Sequence, residues 1–341
     1  MPASTRSVVY WGLVCLCACI AAAPWRHLVV ERPVREAPAA APREHAARVP
    51  EEAELFRSFE KTAAEHPLIG FLSLAFGGVV LAGLLVDARV LLRTVGKRQS
   101  WPAGPPGGEW GLSEVLKAAL LFLSVFFALD PLARLFQRLP CAPSDVSLQV
   151  SFQFVAELAA IVFILTSFPA GLRGGLKKLG LWTGECRAGV IAGVRAYVGF
   201  LPVMIGLVVL TRFAAERAGI ALEPQTPIGF FFADLSRPAL IFLAIFVAVV
   251  GPVFEEIFFR GFAYQAIRLR WGRWPGILVT ALVFSGLHAN AAVFLPIFGL
   301  GILLACVFEA TGSLIPSVTI HICQNSVAAA AALLLRSISS S

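Results

Sequence analysis

The chain has 341 residues, of which 58% are hydrophobic and only 14% charged, and its net charge is +7. A soluble domain carries about 25% charged residues, and one aqueous core of this length cannot hide so much apolar surface. The positive charge sits in short loops between apolar runs. No basic helix or aromatic platform accompanies it, so nucleic acid is not expected among the partners.

About 20 mainly apolar residues cross a bilayer. By that ruler the sequence predicts an all-α, polytopic transmembrane helix bundle with eight or nine membrane segments, integral to the cell (plasma) membrane. The first apolar run, 8–23, follows Arg6 and ends in Ala21-Ala22-Ala23. Residues 1–23 therefore read as a signal anchor or a signal peptide. Residues 24–67 are rich in Ala, Pro, Glu and Arg and read as an extramembrane polar segment. Runs at 68–86, 115–129, 150–170 and 189–210 form an amino-terminal set of spans within residues 68–236. Runs at 239–259, 277–293, 294–308 and 315–335 form a carboxy-terminal core at 237–336.

Loop charge gives an orientation. Arg89, Arg93, Lys97 and Arg98 follow the run at 68–86. Arg173, Lys177, Lys178 and Arg187 follow that at 150–170, and Arg268, Arg270 and Arg273 follow that at 239–259. These richer loops alternate with poorer ones, which assigns them to the cytoplasmic side. Seven cysteines include no CxxC pair, so neither a disulfide framework nor a thiolate metal site is indicated.

An ionised group at mid-bilayer costs about 2.5–3.5 kcal/mol on insertion scales, so polar residues inside the apolar runs carry the information. Three contexts stand out. Glu255 and Glu256 lie in Gly251-Pro252-Val253-Phe254-Glu255-Glu256-Ile257-Phe258-Phe259-Arg260-Gly261. Glu256 and Arg260 are four apart and can pair on one helical face, while Glu255 projects about 100° away. The plain alternative is a helix end at the membrane surface with both charges solvated. In Phe284-Ser285-Gly286-Leu287-His288, the small residues would let helices approach closely. In His321-Ile322-Cys323-Gln324-Asn325, His321 and Asn325 share a face; interhelical polar packing is the plain reading there and for His288. Cys323 faces another side and is assigned to packing. Together the three contexts assemble a carboxylate, two imidazoles, an amide and an arginine, suited to activating water and stabilising an oxyanion.

The ordered pattern Glu255-Glu256-x-x-x-Arg260, Phe284-x-x-x-His288, His321-x-x-x-Asn325 resembles the three-motif signature of the CAAX prenyl endopeptidase (type II) and bacteriocin-processing family, the CPBP or Abi-like intramembrane proteases. Gly261, the string Thr311-Gly312-Ser313-Leu314-Ile315-Pro316-Ser317 and, more weakly, Leu179-Gly180-Leu181-Trp182 add to the likeness, which covers about 239–330. The resemblance implies a membrane endopeptidase acting on a membrane-associated protein or peptide in the lipid bilayer, with 237–336 as catalytic core. It implies Glu255 as the water-activating base helped by His288, Glu256 as the partner of Arg260, and His321 and Asn325 as oxyanion donors. It leaves metal dependence open. Glu255, His288 and His321 form a donor set for Zn²⁺ with a position open to water, and the same groups can work without metal. The alternative function is a non-proteolytic scaffold, or an immunity or secretion-associated protein, of the same fold.

Overall fold

The computed structural model describes residues 67–94, 104–105, 107, 110–136, 145–166, 171–181, 186–220, 222, 229–233 and 235–339. The apolar run at 8–23 and the polar segment before Pro67 lie outside them. The described residues are all-α: α1 (Pro67–Thr94), α2 (Leu112–Phe136), α3 (Asp145–Thr166), α4 (Gly171–Lys178), α5 (Cys186–Ala218), α6 (Arg237–Trp271), α7 (Arg273–Leu287), α8 (Ala291–Thr311) and α9 (Leu314–Ser339).

Six of these helices are long and apolar enough to cross a membrane, and α1 and α7 contain shorter apolar stretches. The protein is an integral, multi-pass helix bundle. Large apolar side chains point outward, among them Leu74, Val209, Ile245 and Leu282. That inversion of the soluble pattern is what lipid as solvent requires.

Boundaries follow local chemistry. Ser236 caps α6, its side chain accepting from the Ala239 amide, with proline in the first turn. The expected span at 277–293 instead ends at Leu287. The chain then turns through His288 and Ala289, and Asn290 caps α8 by accepting from the Ala292 amide at 2.9 Å. Ala289 holds φ 47°, a left-handed conformation unusual for a residue with a Cβ. Gly312, at φ 64°, closes α8 with its amide on Phe308 O.

Helix α6 is the central element. It runs on to Trp271, well beyond the expected 259, and opens into wider π turns at Phe246–Val250 and Ile257–Tyr264. Such turns disturb the regular carbonyl ladder, and side chains answer the carbonyls there. Asn325 Nδ2 donates to Val247 O at 2.9 Å, Gln265 Nε2 to Gly261 O at 2.7 Å, and Trp110 Nε1 to Phe262 O at 2.8 Å. The Trp110 ring also stacks on Phe262.

α6 packs against α9 and α3, α5 against α1, α8 and α9, and α7 against α8. At one end of the bundle the connections lock together. Leu314 donates its amide to Gly180 O at 2.9 Å, and Gln265 Nε2 reaches Lys178 O at 2.9 Å. Gly180, at φ 85°, sits so close to Phe308 and the Gly312 carbonyl that a Cβ would meet both at 2.9 Å. Lys177, Lys178, Arg270 and Arg273 flank this end. Arg268, counted in the sequence as a loop charge, is instead clamped: its Nε and Nη2 donate to Glu309 at 2.7 and 3.0 Å, and Tyr264 Oη donates to the same carboxylate at 2.7 Å.

Candidate active site

The short α-helical stretch Gly251–Glu256, held between the two π segments, carries both motif carboxylates. Glu256 is sealed, with no exposed side-chain surface, and so is Arg260; Arg260 Nη1 donates to Glu256 Oε1 at 2.7 Å. The solvated helix end considered from sequence is therefore ruled out. Arg260 Nη2 also donates to Gly301 O at 3.3 Å. Gly301 itself packs closely on α7, where a Cβ would lie 3.0 Å from Ala281 Cα.

His321 on α9 completes the arrangement. Its Nδ1 lies 3.0 Å from Glu256 Oε1, and its Nε2 lies 3.6 Å from Glu255 Oε2. The sequence placed Glu255 on a different face from Glu256. In the fold both carboxylates reach the same imidazole, one to each ring nitrogen. What separates them is access: the Glu255 side chain keeps 28% of its surface open, and Glu256 none. Glu255 Oε2 has no hydrogen-bond partner.

Phe284 is the hub between motifs. Its ring meets His288 edge-on at 5.0 Å and His321 at 5.6 Å, and the Arg260 guanidinium sits over it at 4.6 Å. Its carbonyl lies 2.8 Å from His288 Nδ1. Because a carbonyl only accepts, that contact puts the proton on Nδ1 and leaves Nε2 of a neutral His288 as the free acceptor. Ser285 is buried and donates to Phe294 O, tying the end of α7 to α8. Gly286 has nothing within 4 Å of a built Cβ, so it does not mediate the close helix approach expected of it.

Asn325 sits one turn beyond His321, and one of its N–H groups is committed to Val247 O. Its partner in the fold is thus the π segment of α6, which leaves one N–H for other work. Cys323 packs against the apolar cluster containing Tyr197 and Ile320, in line with the packing role expected of it.

The donor types of Glu255, His288 and His321 suit zinc. Their placement does not: among the described residues no three His, Cys, Asp or Glu side chains gather as a metal-holding group. Nδ1 of His321 and of His288 is engaged by Glu256 and Phe284, which orients both rings and leaves each Nε2 free.

Two acidic residues escaped the sequence reading. Glu157 on α3 is buried, with Oε1 accepting from Gln153 Nε2 at 2.9 Å and Oε2 without a partner. Glu309, 1% exposed, holds the Arg268 clamp. The signal for both was the one used for Glu255, an acid in or beside an apolar run. Glu157 lay within the expected span 150–170, and the span drawn at 294–308 stopped one residue short of Glu309.

Residues 237–327 match the family model described as type II CAAX prenyl endopeptidase Rce1-like. The chain is also 28% identical over 135 residues to an uncharacterized 24.3 kDa protein of Escherichia coli, covering 38% of this chain and 59% of that protein. The chain thus spans less than two thirds of that relative's length. No solved structure matches it. All six motif residues fall inside the matched stretch, and the amino-terminal helices α1 to α5 fall outside it.

Proposed function

We propose that this chain, whose residues 237–327 belong to the Rce1-like family of type II CAAX prenyl endopeptidases, is an intramembrane endopeptidase that hydrolyses a peptide bond of a membrane-associated protein or peptide. One observation carries the reading: a fully buried Arg260–Glu256–His321 chain ends at a partly exposed acid, Glu255. Burying a cation and an anion is expensive and seldom adds stability, so a bundle that retains them beside an accessible acid is arranged for chemistry.

The chemistry follows from the free atoms. Two atoms 3.6 Å apart, Glu255 Oε2 and His321 Nε2, can both bind one water at about 2.8 Å. Glu255 takes a proton from that water as its oxygen bonds to the scissile carbonyl carbon and the C=O electron pair moves to oxygen. His321, anchored through Nδ1 at Glu256 Oε1, donates through Nε2 toward the oxyanion, joined by the second N–H of Asn325. When the tetrahedral carbon collapses, the C–N bond breaks and the proton held by Glu255 passes to the amine. His288 Nε2, left free by the Phe284 carbonyl, is an acceptor for a peptide N–H of the substrate. Arg260 holds Glu256 in place at 2.7 Å and does not itself meet substrate.

The test compares newly formed peptide termini in membranes from cells making the wild-type chain or Glu255→Gln. The variant should lose them by about 10²–10⁴-fold, the usual contribution of a general base, while inserting normally. Equal termini in both samples would remove the protease reading. Rescue of a deletion phenotype by Glu255→Gln would instead favour the non-proteolytic scaffold.

A further inference from the structure

Glu157 lies on α3, outside the family-matched stretch, yet it faces the motif helix. α3 packs against the Gly251–Glu256 stretch of α6. Phe154, one turn before Glu157, stacks on Phe254, the residue next to Glu255, at 5.9 Å. Glu157 is 8% exposed, and its Oε1 is fixed by Gln153 Nε2 at 2.9 Å. Its Oε2 and Glu255 Oε2 are both buried atoms with no hydrogen-bond partner. Among the described residues no helix cap or ion pair accounts for the acid. A buried carboxylate oxygen left unsatisfied is costly, and a methylene chain of the same length would fill the space without that cost.

A water bound for in-line attack has two hydrogens. The base takes one. The other needs an acceptor of its own, or the water turns about its bond to the base and its lone pair leaves the line of attack. From these placements we infer that Glu157 is a positioning residue for the hydrolytic water: its Oε2 accepts the hydrogen that Glu255 does not remove, with Gln153 holding the carboxylate in register. This rests on the endopeptidase reading and extends its site to a third helix, so that α3 and α6 grip the water from opposite sides.

The experiment uses full-length chain in native membranes, scoring the peptide termini that disappear in Glu255→Ala, and purified chain in detergent for thermal unfolding. Three variants are compared with wild type. Glu157→Met keeps the volume and removes the acceptor. It should lower those termini at least about tenfold, in the range that misplacement of a reactant costs, while the unfolding temperature stays level or rises. Glu157→Gln should return cleavage to within a few-fold, since Gln153 can turn its amide over, pair with the new amide nitrogen and leave an oxygen facing the water. Gln153→Leu should fall between the two. Wild-type cleavage in Glu157→Met would overturn the inference. So would parallel loss of cleavage and thermal stability in both Glu157 variants, which would mark a purely structural acid. If no termini distinguish wild type from Glu255→Ala, the endopeptidase reading itself falls, a result separable from failure of the Glu157 variants alone.

Discussion

Arg260 is the most constrained side chain of the site. It has no exposed surface, bonds Glu256 and the Gly301 carbonyl, and lies over the Phe284 ring. Removing one partner of a buried ion pair strands the other, at a cost of about 3–5 kcal/mol. Arg260→Met should therefore unfold at markedly lower temperature, and Glu256→Gln, which keeps an acceptor for the guanidinium, should lose less; thermal unfolding in detergent reads both. Ala289 offers the opposite case. Its left-handed φ of 47° costs about 1 kcal/mol in an alanine. Ala289→Gly should raise stability by up to that amount, and it should lower cleavage, because the turn that fixes His288 at the end of α7 gains freedom. Activity unchanged in that variant would mean the turn does not hold the imidazole.

Among the elements, α6 shows how far a sequence can be read. The Glu256–Arg260 pair was legible because a four-residue spacing is a geometric statement about a helix. The convergence of Glu255 on His321 was not, since spacing along one helix says nothing of where another helix's imidazole will sit. The π turns were equally hidden, because an apolar stretch carries no periodic signal for a wider turn. Their presence emerges only with Asn325, Gln265 and Trp110 on the carbonyls of Val247, Gly261 and Phe262. Trp110→Phe keeps the ring against Phe262 and removes the N–H. The expected loss is about 1–3 kcal/mol for an orphaned buried carbonyl, read as a lower unfolding temperature. Small residues were weighted by the wrong example: Gly286 meets nothing, while at Gly193 a Cβ would come within 2.7 Å of the Pro316 carbonyl and of Thr319. Gly193→Leu should disrupt the α5–α9 contact, and with it the placing of His321, so cleavage and stability should fall together.

For the whole molecule, the apolar runs foretold every described helix except the short α4, because lipid imposes a length that sequence cannot disguise. The lateral arrangement was illegible, since lipid-facing and helix-facing surfaces are both apolar and no hydrophobic asymmetry marks the partner. The joined connections at one end of the bundle give a sidedness that chemistry can check. In a background otherwise lacking cysteine, Gly107→Cys and Arg270→Cys, both exposed positions, should react with an impermeant maleimide only after the membrane is opened. Glu216→Cys, exposed near the far end of α5, should react in intact cells. The reverse pattern would invert the orientation drawn from loop charge.

The pairing of Arg260 with an acid on its own helix, four residues away, bears on how the protein is made. A lone arginine entering the lipid would have to await a counter-ion from a segment still on the ribosome. Here the salt bridge forms as soon as one helical turn exists, so α6 can leave the translocon with that cation already neutralised. His321, synthesised some sixty residues later, then docks onto a finished ion pair, and the bundle acquires its reactive centre only once α9 is in place.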